Sequence, residues 1–393
     1  MTRGGPLSQR MEAVQAPVIP DVAALIRDTP GTISLGQGVV HYPPPPQALA
    51  AIDGFGSSPA EHHYRSADGI PELHEALRTK LAADNAIDVD DDRQVLFVTA
   101  GSNMAFYHVV MSACDPGDEV IVMSPFYFNH EMAICMANCQ PVLAETDASY
   151  QPQLDVIESV LTDRTRAVVT ISPNNPAGVV YRTEDITAVN ELCRQRGLYH
   201  ISDEAYEYFT YGDSRHFSPG SLEDSSRHTI SLFSFSKAYG LASWRVGYMV
   251  APRKLLSALE KSQDTILICP PVISQRAALG ALEAGRQYCT PFVEEIARVR
   301  QMCMDRLNAL SPACVVPRAD GAFYLLARLD TESGSMAVVE RLVTEFGVAV
   351  IPGVGFGLTD ICHLRIAYGA LEPHTVETGM DRLVRGLEEI LKG

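Results

Sequence analysis

Basic residues are scarce in this 393-residue chain: 31 lysines and arginines stand against 48 acidic residues, a formal net charge of −17. That balance argues against a surface for nucleic acid or anionic lipid, although a local basic pocket is compatible with it. The nine cysteines include no Cys-x-x-Cys pair and no regular framework. With Cys135, Cys193 and Cys303 in apolar surroundings, reduced core thiols are expected in place of disulfides. No window approaches the uninterrupted apolar length needed to span a bilayer, and MTRGGPLSQR lacks the apolar core of a secretory signal. Internal repeats and low-complexity stretches are absent as well. Together these absences predict a soluble, cytoplasmic globular protein with neither nucleic acid nor membrane as partner.

What is present is a large core. Hydrophobic residues make up 46% of the chain and charged residues 20%, and the length suits two domains. Residues 1–7 read as a loose arm, followed by a short helix near 21–28. Four prolines, Pro43 to Pro46, form a rigid connector. Pro71 falls early in a helix whose Leu73, Leu77 and Leu81 share one face. From Val95 onward, nearly continuous apolar strands alternate with helices, among them one over 184–196 expected to be capped by Thr183 and stopped by Gly197. This pattern predicts an α/β fold: a large domain with a mainly parallel sheet covered by helices on both faces, plus a smaller α+β domain. The expected division assigns 1–40 to an N-terminal arm and part of the small domain, 41–284 to the large domain and 285–393 to the small C-terminal domain. In such sheets ligands gather beyond the carboxyl ends of the strands. The turn at Gly101, the NNPAG loop, Asp203 and Lys237 all follow strands at that edge.

The stretch SFSKAYGLASWRVGY, 234–248, carries the chemistry. A lysine amine forms Schiff bases with aldehydes, and serine hydroxyls plus an arginine suit a phosphate ester. Lys237 with Ser234, Ser236 and Arg245 therefore points to pyridoxal phosphate, an aldehyde carrying a phosphate. Such a cofactor needs further services. Asp203 in SDEAY can face the pyridine nitrogen and keep it protonated. Asn175 and Tyr206 can hydrogen-bond the phenolic oxygen. Gly101, Ser102 and Asn103 open a helix whose free N–H groups favour an anion. Singly, each residue has an ordinary alternative: Asp203 a turn cap, Asn175 a loop residue, Tyr206 a core tyrosine, Arg245 half of a surface ion pair. Their joint occurrence, in this order on strand ends, is what counts.

These motifs resemble the class I/II aminotransferase family of fold type I pyridoxal phosphate enzymes. NNPAG, SDEAY and SFSKAYGLASWRVG carry the likeness, with LGQG, YRSADGIPELHEAL, TAGSNMA, SPFY, PGVGFG and HLRIAYG in family order. The resemblance implies Lys237 as the Schiff-base lysine and proton shuttle, Asp203 as partner of the pyridine nitrogen, and Phe126 stacked on the cofactor ring. It implies Arg365 as the fork that grips the substrate carboxylate, and Gly38 beside the substrate, where a side chain would obstruct. Tyr64 would reach the phosphate of a neighbouring subunit, implying a homodimer with shared active sites. No metal is implied.

One departure bears on substrate. Some members acting on acidic substrates carry a lysine where this chain has Asn103, so neutral or aromatic amino acids are expected ahead of aspartate. The expected reaction is ping-pong transfer of an amino group from an L-amino acid to a 2-oxo acid. The rivals are a lyase or synthase of the same fold type, an aspartate-type aminotransferase, and a ligand sensor within a transcription regulator. The last expects a basic extension that this acidic chain does not show.

Overall fold

A computed structural model describes residues 8–392; the loose arm expected over 1–7 lies outside the described residues. In chain order the strands are β1 (Ile33–Ser34), β2 (Gln94–Thr99), β3 (Glu119–Ser124), β4 (Gln140–Glu145), β5 (Thr165–Ile171), β6 (Tyr199–Asp203) and β7 (Thr229–Ser234). Then follow β8 (Gly247–Pro252), β9 (Cys314–Val315), β10 (Tyr324–Leu329), β11 (Val348–Ala349), β12 (Ile351–Pro352) and β13 (Cys362–Ala367). Seven of them form one sheet in the order β2-β8-β7-β6-β5-β3-β4. Neighbours run parallel except β8, which is antiparallel to both β2 and β7.

Alternation within the strands shows why both faces are covered. On β2, Val95 and Phe97 pack with Phe106 and Val109 of the Ser102–Ala113 helix and Ile134 of the Phe128–Met136 helix. Leu96 and Val98 point the other way, onto Leu73, Leu77 and Leu81 of the Pro71–Asn85 helix and Ala277, Ala278 and Ala281 of the Val272–Ala284 helix. A strand buried on both faces has no polar side, so it reads as a continuous apolar run. Pro71 occupies the first turn of its helix as expected. The cap at Thr183 needs correction: Thr183 is already the first helical residue, Arg182 precedes it in extended conformation, and neither side chain caps the helix. The Arg182 guanidinium instead pairs with Asp185 at 2.6 Å. Gly197 closes that helix in the left-handed region, φ 69°.

The C-terminal elements form an antiparallel sheet, β12-β13-β10-β9, and β1 pairs in parallel with β11. The N-terminal segment thus joins the end of the chain: Val22 and Leu35 share a core with Val338, Leu342 and Leu383. That core also takes in Ala205, Tyr206 and Phe209, which follow β6, so the two sheets meet just beyond Asp203. All nine cysteines are free thiols. Cys193 and Cys303 are buried in apolar clusters, whereas Cys135 is half-buried and donates to Glu131.

The loop after β6 is anchored from behind. The buried Lys80 ammonium donates to the Glu207 carboxylate and to Asn85 Oδ1 at 2.7 Å, and lies 4.7 Å from the Phe233 ring centroid. Removing one partner of a buried ion pair strands the other charge, at a cost of about 3–5 kcal/mol. Lys80→Met is expected to lower the urea unfolding midpoint accordingly, and Lys80→Met/Glu207→Leu to recover most of the loss. An unchanged midpoint in the single variant would show that the pair contributes no stability.

Candidate active site

The carboxyl ends of β5, β6 and β7 lie side by side, with Ile171 opposite Asp203 and Asp203 opposite Leu232. Beyond them lies a cavity lined by Ser102, Asn103, Asn175, Asp203, Tyr206, Ser234, Ser236, Lys237 and Arg245, with Tyr127 as its aromatic wall.

At one end, Gly101 precedes the Ser102–Ala113 helix with φ 86°, a conformation that favours glycine. A Cβ there would come within 2.5 Å of the Arg245 guanidinium, and one on Gly247 within 2.9 Å of the Ser102 backbone nitrogen. Both glycines hold open the approach of a guanidinium to a helix N-terminus, where N–H groups and the dipole favour an anion. Ser234 Oγ accepts from the Ser236 N–H at 3.1 Å and so starts the short helix that carries Lys237. From the connector region, Tyr42 Oη bonds the carbonyls of Lys237 and Ala238 at 3.0 and 3.1 Å. The Pro43 backbone packs against Gly240, φ 62°, where a Cβ would lie 3.1 Å from it.

The Lys237 amine points into the cavity and donates to the Gly38 carbonyl. Burial, then the positive charges of Arg365 and Arg245, pull its pKa down from 10.5 to about 8, with Asp203 opposing them. Asp203 accepts from the Ala205 N–H at 3.1 Å, and its other oxygen lies 3.1 Å from His130 Nε2. His130 is itself stacked on Phe106 at 3.9 Å. Burial raises the pKa of the Tyr206 phenol well above its ordinary value, so it is a neutral donor at physiological pH.

A second, outer cleft shares Tyr127, Asn175, Tyr206 and Lys237 with the first and adds Gly38, Tyr324 and Arg365. Its far wall is apolar: Ile19, Val22, Ala23 and Ile26 of the Val18–Asp28 helix, with Val39, Phe128 and Ile351. Arg365 is buried, donating to Asn175 Oδ1 at 2.9 Å and to the Gly36 carbonyl at 2.7 Å, while its Nε has no partner. No carboxylate pairs with it among the described residues. The arrangement therefore offers an anion site at each end and a nucleophilic amine between them.

Comparison with known proteins decides what that arrangement belongs to. The profile of the family "Aminotransferase class I and II" matches residues 30–383. The chain belongs to that family. Among its relatives, the aromatic aminotransferase ISS1 of Arabidopsis thaliana is 34% identical over 98% of both chains. The aspartate aminotransferase of Pyrococcus abyssi is 32% identical over 94% of both. The solved structure of Thermus thermophilus aspartate aminotransferase with maleate superposes with a TM-score of 0.88 at 30% identity, covering 98% of this chain and all of that one. The protein is a pyridoxal phosphate-dependent aminotransferase of fold type I, and the cavity fits that cofactor. The Gly101–Arg245 clearance suits a phosphate, Lys237 an aldehyde, the buried Asp203 a protonated ring nitrogen, and Asn175 with Tyr206 a phenolic oxygen.

The structure brings together all of the expected residues except two. Phe126 does not line the cavity; its ring is buried among Val122 and Val169 and lies against Gly357, where a Cβ would approach it to 2.4 Å. The neighbouring Tyr127 takes the wall position, while Phe126 is held in the packing around Val122 and Gly357. Tyr64 is 76% exposed and lines neither cavity of its own chain. Besides Tyr127, three residues escaped the motif reading: His130, Tyr42 and Tyr324. Each makes its contact across a long sequence separation, and no local pattern marks it.

An amine with pKa near 8 becomes nucleophilic well below the pH that frees an ordinary lysine. Capture of pyridoxal phosphate by the apoenzyme, fixed with borohydride and mapped, is expected to label Lys237 with a rate rising through a midpoint near pH 8. Label on another lysine, or a midpoint close to 10.5, would show that the cavity does not activate this amine.

Proposed function

We propose that this aminotransferase moves the amino group of a neutral L-amino acid, aliphatic or aromatic, to a 2-oxo acid in two half-reactions that share one site. The observation that carries the reading is Arg365: a buried guanidinium with no carboxylate partner among the described residues, set beside an apolar wall. A buried cation without a counter-ion is costly, so the site is completed by an anion, and the planar fork suits an α-carboxylate. When bound, pyridoxal phosphate supplies the electron sink that makes the substrate's Cα proton removable. The chain's own residues do the rest. Arg365 and Asn175 would orient the carboxylate, and Lys237 would be the base that takes the Cα proton and returns it. Asp203, with His130 Nε2 3.1 Å away, would maintain charge at the ring nitrogen. Tyr206 and Asn175 would hydrogen-bond the phenolic oxygen, Tyr127 would cover the ring face, and Gly101, Ser102, Asn103, Ser234, Ser236 and Arg245 would hold the phosphate.

Specificity follows from the far wall. Besides Lys237 and Arg365, no cationic side chain among the described residues lines the outer cleft, and Asn103 leaves the turn beside the proposed phosphate site uncharged. The relatives named aspartate aminotransferases support the other reading, a dicarboxylate substrate, which would require a basic group from elsewhere. An unpaired distal carboxylate forgoes a charge-assisted bond of about 2–3 kcal/mol, roughly a thirtyfold to hundredfold preference for phenylalanine or methionine over aspartate in kcat/KM. Arg365→Lys is expected to lower kcat/KM for all donors alike, since an ammonium cannot reproduce the fork. Asn103→Lys is expected to raise aspartate selectively. Preference for aspartate by the unmodified enzyme would establish the dicarboxylate reading.

The exposure of Tyr64 supports a homodimer in which this residue completes the phosphate site of the other subunit. Near it, Ile266, Ile268 and Ile273 are also exposed, and the Arg65 N–H meets Cys269 Sγ at 3.5 Å. Mixing Lys237→Ala with Tyr64→Ala chains is expected to restore activity in hybrid dimers, because one of their two sites is intact. Verified hybrids without activity would place Tyr64 outside the site.

A further inference from the structure

Tyr324 opens β10 in the small sheet, yet its fully buried side chain reaches the heart of the site. Its hydroxyl lies 2.6 Å from Tyr206 Oη, and the two rings meet edge to face at 5.5 Å. The Arg365 guanidinium sits 4.6 Å from its ring centroid. Two glycines from separate motifs make room for this one residue. A Cβ on Gly38 would lie 2.5 Å from the Tyr324 hydroxyl, and a Cβ on Gly178, φ +71°, 2.1 Å from its carbonyl oxygen.

Proton accounting at Tyr206 gives the pair a direction. A tyrosine hydroxyl has one proton to donate and can accept through its lone pairs. If Tyr206 gives its proton to the phenolic oxygen of the cofactor, it has none left for Tyr324, so Tyr324 must be the donor between them. Asn175 Nδ2, 3.4 Å from Tyr206 Oη, is a longer contact on the same oxygen. A hydroxyl that accepts a hydrogen bond becomes a stronger donor through its own proton.

We propose that Tyr324 is a positioning residue whose hydroxyl donates to Tyr206, directing the single Tyr206 proton onto the phenolic oxygen of pyridoxal phosphate. The proposal rests on the reading of Tyr206 as donor to that oxygen. It makes a residue of the small sheet part of the apparatus that sets the cofactor's protonation, and it accounts for glycine at 38.

The test is the pH at which the visible absorbance band of the bound cofactor titrates in holoenzyme without substrate. Losing one neutral hydrogen bond to Tyr206 is expected to move that midpoint upward by about 0.5–1 pH unit in Tyr324→Phe, which keeps the ring. Tyr206→Phe is expected to move it further, and the double variant to match Tyr206→Phe alone. Should Tyr324→Phe not fold, Gly38→Ala, whose methyl displaces the hydroxyl, is expected to shift the midpoint in the same direction. A shift in Tyr206→Phe with none in Tyr324→Phe or Gly38→Ala overturns this proposal and leaves the Tyr206 reading standing. Additive shifts in the double variant also overturn it, since Tyr324 would then act independently. No shift in Tyr206→Phe overturns both.

Discussion

An excess of positive charge, confined to one cavity of an acidic protein, is the constraint on which the rest of the structure depends. Arg245, Lys237 and Arg365 converge there with Asp203 as the carboxylate among them. Desolvated cations of like sign raise one another's free energy, and the lowered pKa of Lys237 registers its burial first and then the repulsion of Arg365 and Arg245. On the proposed reading, anions would complete the cavity, a phosphate at the Arg245 end and a carboxylate at the Arg365 end. The chain as a whole carries a net charge of −17, so this cationic interior stands against an acidic remainder.

Holding those charges in place falls to the seam between the two sheets. Asp203 ends a strand of the large sheet, Tyr206 follows it in the loop, and the opposite face of that loop is tied down by Glu207 on Lys80. Arg365 comes from β13 of the small sheet, and its bond to Asn175 crosses from one sheet's elements to the other's. The apolar wall comes from a third source, the Val18–Asp28 helix, which packs with the C-terminal elements. The inner cavity and the outer cleft thus draw on different layers, and the contact of Tyr324 with Tyr206 joins them.

Glycine placement shows how closely the seam is packed. Gly38, Gly101, Gly178 and Gly247 each sit where an added methyl group would fall within 3 Å of a functional side chain or of the backbone that holds one. Interiors this dense do not yield to such additions without displacement. The motifs are glycine-rich because other side chains need the space, and turn geometry accounts for the choice only where φ is positive.

Much of this was legible in the sequence because it is local. Strand ends announce themselves by composition, and Lys237, Asp203, Asn175 and Arg365 each sit in a short motif whose neighbours belong to the same turn. Local reading failed where the deciding contact was distant or where two adjacent candidates were chemically alike. Phe126 and Tyr127 are both aromatic, and only the Gly357 contact and the packing around Val122 decide which of them faces the cavity. Thr183 had the composition of a cap, but the helix begins at it. His130 reaches Asp203 from 73 positions away in the chain and Tyr324 reaches Tyr206 from 118, separations at which no periodicity or spacing signal exists. The sequence by itself determined the layered α/β architecture and the chemical identity of the site, because strand burial and motif spacing are properties of short segments. Only the tertiary structure decided which aromatic walls the inner cavity, which tyrosine meets another and what lines the outer cleft, because those depend on which non-local surfaces dense packing brings into contact.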